Sequence, residues 1–235
     1  MINYKKINTT SSGFTIIELM ISITVLSVIL LMASVIIINV GHLFYKGVST
    51  SRIQDNTRSI ADDIAQRLQY TDQVPNTGAG SGYMAYCIGE TRFTYVLFKQ
   101  IVTDTPHVLW RDTLPSGTSS CVPAALNVNP PSSDPKGVEL ITSNARLTNF
   151  SISLSSPYTV NVSLAYGDND LICDNGQAGD CSYIQGESPW IQSLIAGGGA
   201  LAAKGQITCK GQDVGQQFCA TSNLSITVSQ RLTGS

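Results

Sequence analysis

The dominant pattern along the chain is a long apolar stretch near the N-terminus. Apolar residues prevail from Phe14 to about Val40, and no formally charged residue occurs between Leu19 and Tyr45. A helix of about 20 predominantly apolar residues is long enough to cross a bilayer. The pattern therefore predicts a membrane-spanning helix over residues 14–42.

Beyond this span the apolar residues recur every three or four positions, as on a helix with one buried face. This stripe consists of Ile53, Thr57, Ile60, Ala61, Ile64, Ala65 and Leu68. The opposite face is charged and contains two oppositely charged pairs spaced i,i+4, Arg58/Asp62 and Asp63/Arg67. The pattern predicts that the helix continues over residues 43–70, with its stripe packed on a sheet.

The remaining residues, 71–235, show the alternation that is typical of half-buried strands. The predicted strands are 92–100, 107–112, 138–142, 145–154, 158–166, 206–209 and 224–232. We expect the first two to form a hairpin, the next three to form the antiparallel core under the helix, and the last two to pair. Glycine and proline content predicts loops at 71–82 and 129–135. The fold class is α+β, a long helix on an antiparallel β-sheet.

The segment before the apolar run is short and polar. Residues 1–13 contain Lys5 and Lys6 and end at Gly13. The lysines favour a cytoplasmic N-terminus by the positive-inside rule. A secretory signal has its small-residue cleavage site after the apolar run, whereas here the small residue precedes it. Glu18 places a carboxylate inside the run, where it requires a partner.

The sequence Gly13-Phe14-Thr15-x-x-Glu18 resembles the class III signal of type IV pilins and type II secretion pseudopilins. The resemblance implies that a prepilin peptidase cleaves between Gly13 and Phe14, removes the leader 1–13 and N-methylates Phe14. It further implies that Glu18 guides assembly by pairing with the terminal amine of a neighbouring subunit. Other pilin subunits, an inner-membrane assembly platform and, before assembly, membrane lipid are the implied partners. The implied location is the inner membrane, followed by an extracellular filament.

Six cysteines lie beyond the apolar helix, as expected for an oxidising compartment. They permit 15 pairings, of which the sequential one is the simplest: Cys87–Cys121, Cys173–Cys181 and Cys209–Cys219. A zinc site is the alternative, but neither a C-x-x-C motif nor a Cys/His cluster with ligand spacing occurs. We therefore predict disulfides that staple the loops.

Charge and motifs argue against two classes of function. The net charge is −2, and removal of the leader lysines lowers it to −4, so the basic face that nucleic-acid binding requires is not indicated. The two histidines, His42 and His107, lie at the membrane boundary and at a strand start predicted to be on the surface. Hydrolase motifs such as G-x-S-x-G are absent from the sequence. We predict a substrate of a peptidase rather than an enzyme.

Residues 167–210 are rich in Gly and Asp, which suggests either turns or a calcium site. The calcium candidates are Asp168, Asp170, Asp174 and Asp180. Their spacing is not that of an EF-hand, so we expect no cofactor and keep calcium as the alternative. Three Asn-x-Ser sequons, at Asn149, Asn161 and Asn223, are interpreted as the polar face of strands rather than as glycosylation sites.

Within the pilin family the large ectodomain and the segment 58–68 favour a minor pilin, although a major pilin is open as well. Twitching motility, adhesion, DNA uptake and protein secretion use the same anchoring logic. Two further alternatives are open. One is a type II secretion pseudopilin. The other is a membrane-anchored binding or adhesion module that does not polymerise and uses the loops 113–136 and 167–204 for recognition.

Overall fold

A computed structural model describes residues 13–80, 82–101, 107–115, 117, 120–132, 134–182, 188–197, 202–210 and 215–231. The first twelve residues of the predicted leader lie outside this set. The chain divides into two compact units, Met1–Phe44 and Tyr45–Ser235. In the described part the elements are α1 (Ile16–Tyr70), β1 (Asn76–Gly80), β2 (Tyr83–Ile88), β3 (Thr91–Tyr95), β4 (Leu109–Thr113), β5 (Val138–Glu139), β6 (Ala145–Ile152), β7 (Tyr158–Tyr166), β8 (Ile172–Asp174), α2 (Pro189–Ala196), β9 (Ile207–Cys209) and β10 (Ala220–Val228).

In the first unit, α1 satisfies its own polar groups. The hydroxyls of Ser22, Ser27 and Ser34 each donate to the carbonyl four residues earlier, at 2.7–2.8 Å. Thr24 donates to the Ile21 carbonyl at 2.8 Å. Such internal bonds suit a helix in lipid, where no water is available to a hydroxyl.

In the second unit, the remainder of α1 buries one face. The buried residues are Ser49, Ile53, Thr57, Ile60, Ala61, Ile64 and Leu68. This is the predicted stripe, except that Ala65 is only partly buried. Of the two predicted ion pairs, only Asp63–Arg67 forms, at 3.3 Å. Arg111 of β4 also donates to Asp63 at 2.9 Å, so this carboxylate ties the helix to the sheet.

The first sheet contains five antiparallel strands in the order β1-β2-β3-β4-β5. The prediction of a loop over 71–82 was wrong, because β1 pairs with β2 along its whole length. The glycine content that predicted a loop has another reason at Gly78. A Cβ there would lie 1.5 Å from the Cys121 carbonyl oxygen. Glycine within a strand often marks such a close approach of another backbone. The prediction that 138–142 joins the later strands was also wrong, since β5 pairs with β4.

The second sheet has the order β10-β7-β6. The predicted pairing of 206–209 with 224–232 was wrong. Instead, β10 pairs with β7 over nine residues, while β9 pairs with β8 over three. A nine-residue ladder allows β10 to extend the apolar face of β7 over the helix, and Leu224 and Ile226 pack there against the core.

Two apolar clusters flank this sheet. The larger cluster joins the α1 stripe to the inner faces of both sheets, including Val160 and Val162, whose side chains are fully buried. The smaller cluster packs on the outer face at Ala165 and includes Ile191, Leu194 and Ile207. Its helix α2, which the pattern analysis missed, begins at Ser188-Pro189, a recognisable N-cap followed by proline.

Three disulfides are present, in the sequential pattern. Cys87–Cys121 joins β2 to the segment after β4. Cys173–Cys181 and Cys209–Cys219 lie within the region that covers the outer face of the second sheet.

We expect truncation of the stripe to destabilise the ectodomain strongly. Ile60 is 1% exposed, so Ile60→Ala should lower the free energy of unfolding by about 2–5 kcal/mol through lost burial and a residual cavity. Arg58→Ala, on the exposed face of the same helix, should change it by less than about 0.5 kcal/mol. Chemical unfolding of the full chain in micelles, followed by near-UV circular dichroism, measures both. Equal effects would contradict the packing described.

The disulfides should differ in how much each contributes to the free energy of unfolding. Cys87–Cys121 closes a loop with sequence separation 34, against 8 for Cys173–Cys181. Chain entropy predicts a cost of about 4 kcal/mol for replacing the first pair by serines and about 2.5 kcal/mol for the second. Unfolding of the two double variants tests this order, and a reversed order would refute the entropic account.

Candidate functional site

The N-terminus of α1 is built as a capping box. Thr15 is the residue before the helix, and its Oγ1 accepts from the Glu18 backbone N–H at 3.3 Å. In return, Glu18 Oε2 accepts from the Thr15 backbone N–H at 3.4 Å and from Thr15 Oγ1 at 3.3 Å. This reciprocal pattern satisfies orphan amides of the first helical turn. Glu18 therefore has a structural role within its own chain.

The box also leaves part of the carboxylate available. Glu18 Oε1 accepts no hydrogen bond from any described residue, and the side chain is exposed. The carboxylate lies in the first turn of α1, at the positive end of the helix dipole. One oxygen thus holds the helix start, while the other can receive a second donor.

The Gly13-Phe14 bond lies before the first helical residue, Ile16. Phe14 is 72% exposed, and Gly13 has no atom near the position of a Cβ. The bond therefore lies in exposed, non-helical backbone. Cleavage there would leave the new α-ammonium one residue before the Thr15 cap.

The first unit exposes an extended apolar surface. The large exposed apolar side chains include Phe14, Ile17, Leu26, Leu31, Ile37 and Leu43. Within the described residues, α1 is the one helix whose length and composition would allow it to cross a membrane. Exposed apolar surface of this extent is a mark of contact with lipid or with other proteins.

The structure does not bring the four aspartates of the calcium hypothesis together. Asp168 and Asp170 are exposed, whereas Asp174 and Asp180 are buried. Asp174 accepts backbone N–H groups from Lys204 and Gly205 at 2.6 and 2.7 Å, and Asp180 accepts the N–H of Asp174 at 2.7 Å. Among the described residues, no group of three His, Cys, Asp or Glu side chains is arranged to hold a metal. These two carboxylates organise loops.

His107 was predicted on the surface, and this was wrong, because the side chain is buried. Its Nδ1 lies 3.3 Å from Glu139 Oε2, and its ring packs edge-on against Trp110 at 4.6 Å. Burial raises the pKa of Glu139, and the backbone N–H groups of Leu109 and Val108 oppose this shift. Neither imidazole nitrogen is hydrogen-bonded to a hydroxyl or thiol of the described residues. His42, by contrast, is exposed.

Comparison with known families identifies the N-terminal segment. Residues 8–34 match the family described as the prokaryotic N-terminal methylation motif. This motif is the class III signal of type IV pilins and pseudopilins, and the match covers only the N-terminal segment of the chain. Such a signal is typical of structural proteins that are anchored in a membrane. No curated protein and no solved structure matches the chain.

Thr15 is the residue of this site whose role the sequence analysis did not assign. The signal for it was present, since Thr-x-x-Glu before an apolar run is the signature of a capping box. The family pattern assigns a role to the glutamate but none to its partner three residues earlier.

Proposed function

We propose that this chain is the precursor of a structural subunit, a minor pilin, of a type IV pilus or a related filament. The observation that carries the proposal is the start of α1, where the methylation motif, the exposed Gly13-Phe14 bond and the half-satisfied Glu18 carboxylate occur together. The large disulfide-bonded ectodomain favours a minor over a major subunit.

The proposed maturation starts from this geometry. The precursor resides in the inner membrane with Lys5 and Lys6 on the cytoplasmic side. Prepilin peptidase cleaves between Gly13 and Phe14 and methylates the new terminus. The mature chain then begins with an ammonium group directly before the apolar helix.

Assembly requires the apolar surface to exchange lipid for the corresponding helices of other subunits. In that low-dielectric bundle a lone carboxylate is costly unless it is paired. Oε1 of Glu18 accepts from the Phe14 ammonium of the neighbouring subunit, while Oε2 keeps its bond to Thr15. The pairing sets the register between subunits, and the assembly platform drives the transfer from membrane to extracellular filament.

The first test is the N-terminal peptide. Mass spectrometry of sheared extracellular filaments should find a peptide that begins at N-methylated Phe14. The membrane fraction should contain both the processed chain and the precursor. A chain found only in membranes and beginning at Met1 would contradict the proposal and favour an anchored module that does not polymerise.

The second test separates the two roles of Glu18. Glutamine at this position of a capping box keeps an acceptor for the Thr15 N–H but removes the charge. We expect Glu18→Gln to be processed normally and to lower filament yield at least about tenfold, which corresponds to about 1.4 kcal/mol per subunit contact.

Thr15→Ala is the matched control, since it removes the cap hydroxyl and keeps the carboxylate. Its filament yield should stay within about fivefold of the unmodified chain, because an N-cap contributes about 1 kcal/mol. Normal assembly of Glu18→Gln together with failure of Thr15→Ala would show that capping, and not charge pairing, is what assembly requires. Immunoblots of sheared and cell-bound fractions measure both variants.

A further inference from the structure

The outer face of the second sheet carries a regular polar pattern. Asn149 of β6 lies opposite Ser163 of β7, which in turn lies opposite Asn223 of β10. We call these three residues the Asn-Ser-Asn row. The adjacent row contains Ser151, Asn161 and Ser225 in the same order of strands. The three Asn-x-Ser sequons are therefore two rows of one polar face.

A β-bulge positions the first row. The pairing of β6 and β7 shifts register between Leu147 and Asn149, which leaves Thr148 as the extra residue. The Thr148 hydroxyl donates to the Ser163 carbonyl at 3.1 Å. Bulges of this kind re-aim side chains and are frequent beside binding sites. After the shift, Asn149 faces outward in line with Ser163.

The row forms the floor of a groove. The smaller apolar cluster covers the outer face of the second sheet at Ala165 and does not include the Asn-Ser-Asn row. Between the row and the segment 202–207 lies a cavity of about 480 Å³, within the usual range of about 300–1,000 Å³ for ligand pockets. Thr221 extends the floor, and Ala203 and Gln206 contribute to the wall.

The wall is held in place by buried polar contacts. Asp174, which is fully buried, accepts the N–H groups of Lys204 and Gly205. Asn175 Oδ1 accepts the N–H of Gln206 at 2.6 Å. A Cβ at Gly205 would lie 2.2 Å from the nitrogen of Gly176, so the two backbones are in close contact. The groove is preformed on both sides.

The groove presents unused hydrogen-bonding capacity of one chemical kind. Ser163 Oγ donates to Asn223 Oδ1 at 3.0 Å, and the NH₂ group of Asn223 has no acceptor among the described residues. The side-chain amides of Asn149 and Gln206 have no partner among the described residues, and both side chains are exposed. Amides and hydroxyls supply donors and acceptors together.

The lining also excludes several ligand classes. Lys204 belongs to the wall segment, but its ammonium group lies over the Trp190 ring, 4.9 Å from the ring centre, and the residues that line the groove carry no formal charge. A phosphate, a nucleic acid or an acidic peptide would find no cation there to offset its desolvation. Strand addition at this site is disfavoured as well, because it requires a free sheet edge, whereas the groove lies over the face of the sheet, where β6 and β7 are paired with each other.

We propose that this groove binds a neutral carbohydrate. Each sugar hydroxyl is both donor and acceptor and therefore matches the amides of Asn149, Asn223 and Gln206. The methyl group of Ala203 provides apolar contact for the C–H face of a sugar ring. The groove lies entirely within the second unit, so the inference does not depend on the proposed role in a filament.

The test uses the full chain in a zwitterionic detergent without a sugar headgroup. The probes are maltotriose, cellotriose, triacetylchitotriose and α-1,4-galactotriose, with trigalacturonic acid as the acidic counterpart of the last. Saturation-transfer NMR and titration calorimetry should detect binding of at least one neutral trisaccharide. Asn149→Ala and Asn223→Ala should each weaken that binding about tenfold through loss of amide hydrogen bonds.

Asn161→Ala is the matched control. It makes the same chemical change in the adjacent row, outside the groove, and removes only the bond to Ser151. Its affinity should stay within about twofold of the unmodified chain. Failure of every neutral trisaccharide to bind, preference for trigalacturonic acid, or an equal loss in Asn161→Ala would overturn the proposal. Retention of the near-UV circular dichroism spectrum shows that a variant is folded.

Discussion

Burial of the apolar stripe of α1 is the interaction on which the ectodomain depends. Ile60 and Ile64 are at most 1% exposed, and their neighbours in the cluster come from both larger sheets. No long ladder of paired strands joins the two larger sheets. The helix provides the apolar surface on which both sheets pack. An isolated helix gains little from propensity alone and takes its stability from such packing. The disulfides and loops act on a core that this contact has already defined.

The second sheet has two faces with opposite properties. Val160 and Val162 point into the apolar core under the helix. On the outer face, Ala165 receives the smaller apolar cluster, while Ser163, two residues earlier, remains half-exposed in the groove. The period of two along a strand makes this division possible within a few residues. A sheet that must be apolar on one side is free to present hydrogen-bonding groups on the other.

The first unit poses the complementary problem, since its large apolar side chains are exposed. The hydroxyls of the helix are satisfied by its own carbonyls, and Thr15 and Glu18 satisfy its first turn. What remains is one exposed carboxylate oxygen on an otherwise apolar helix. Lipid covers the apolar surface but provides no cation for the carboxylate. A bundle of such helices with free amino termini can both cover the apolar surface and pair the carboxylate. In the proposed filament, α1 would therefore serve both membrane anchoring and assembly.

The sequence alone determined the helix, its buried stripe, the bounds of β7 and the N-terminal motif, because each depends on residues that are near one another in the chain. It failed for β1, where Gly78 is in close contact with Cys121, and for His107, whose burial beside Glu139 depends on the distant strand β5. It also mispaired β9 and β10. Tertiary structure decided these matters, since the register between distant strands depends on which faces a common core can accept. The same register turned three separate Asn-x-Ser segments into one row of side chains, which no local pattern specifies.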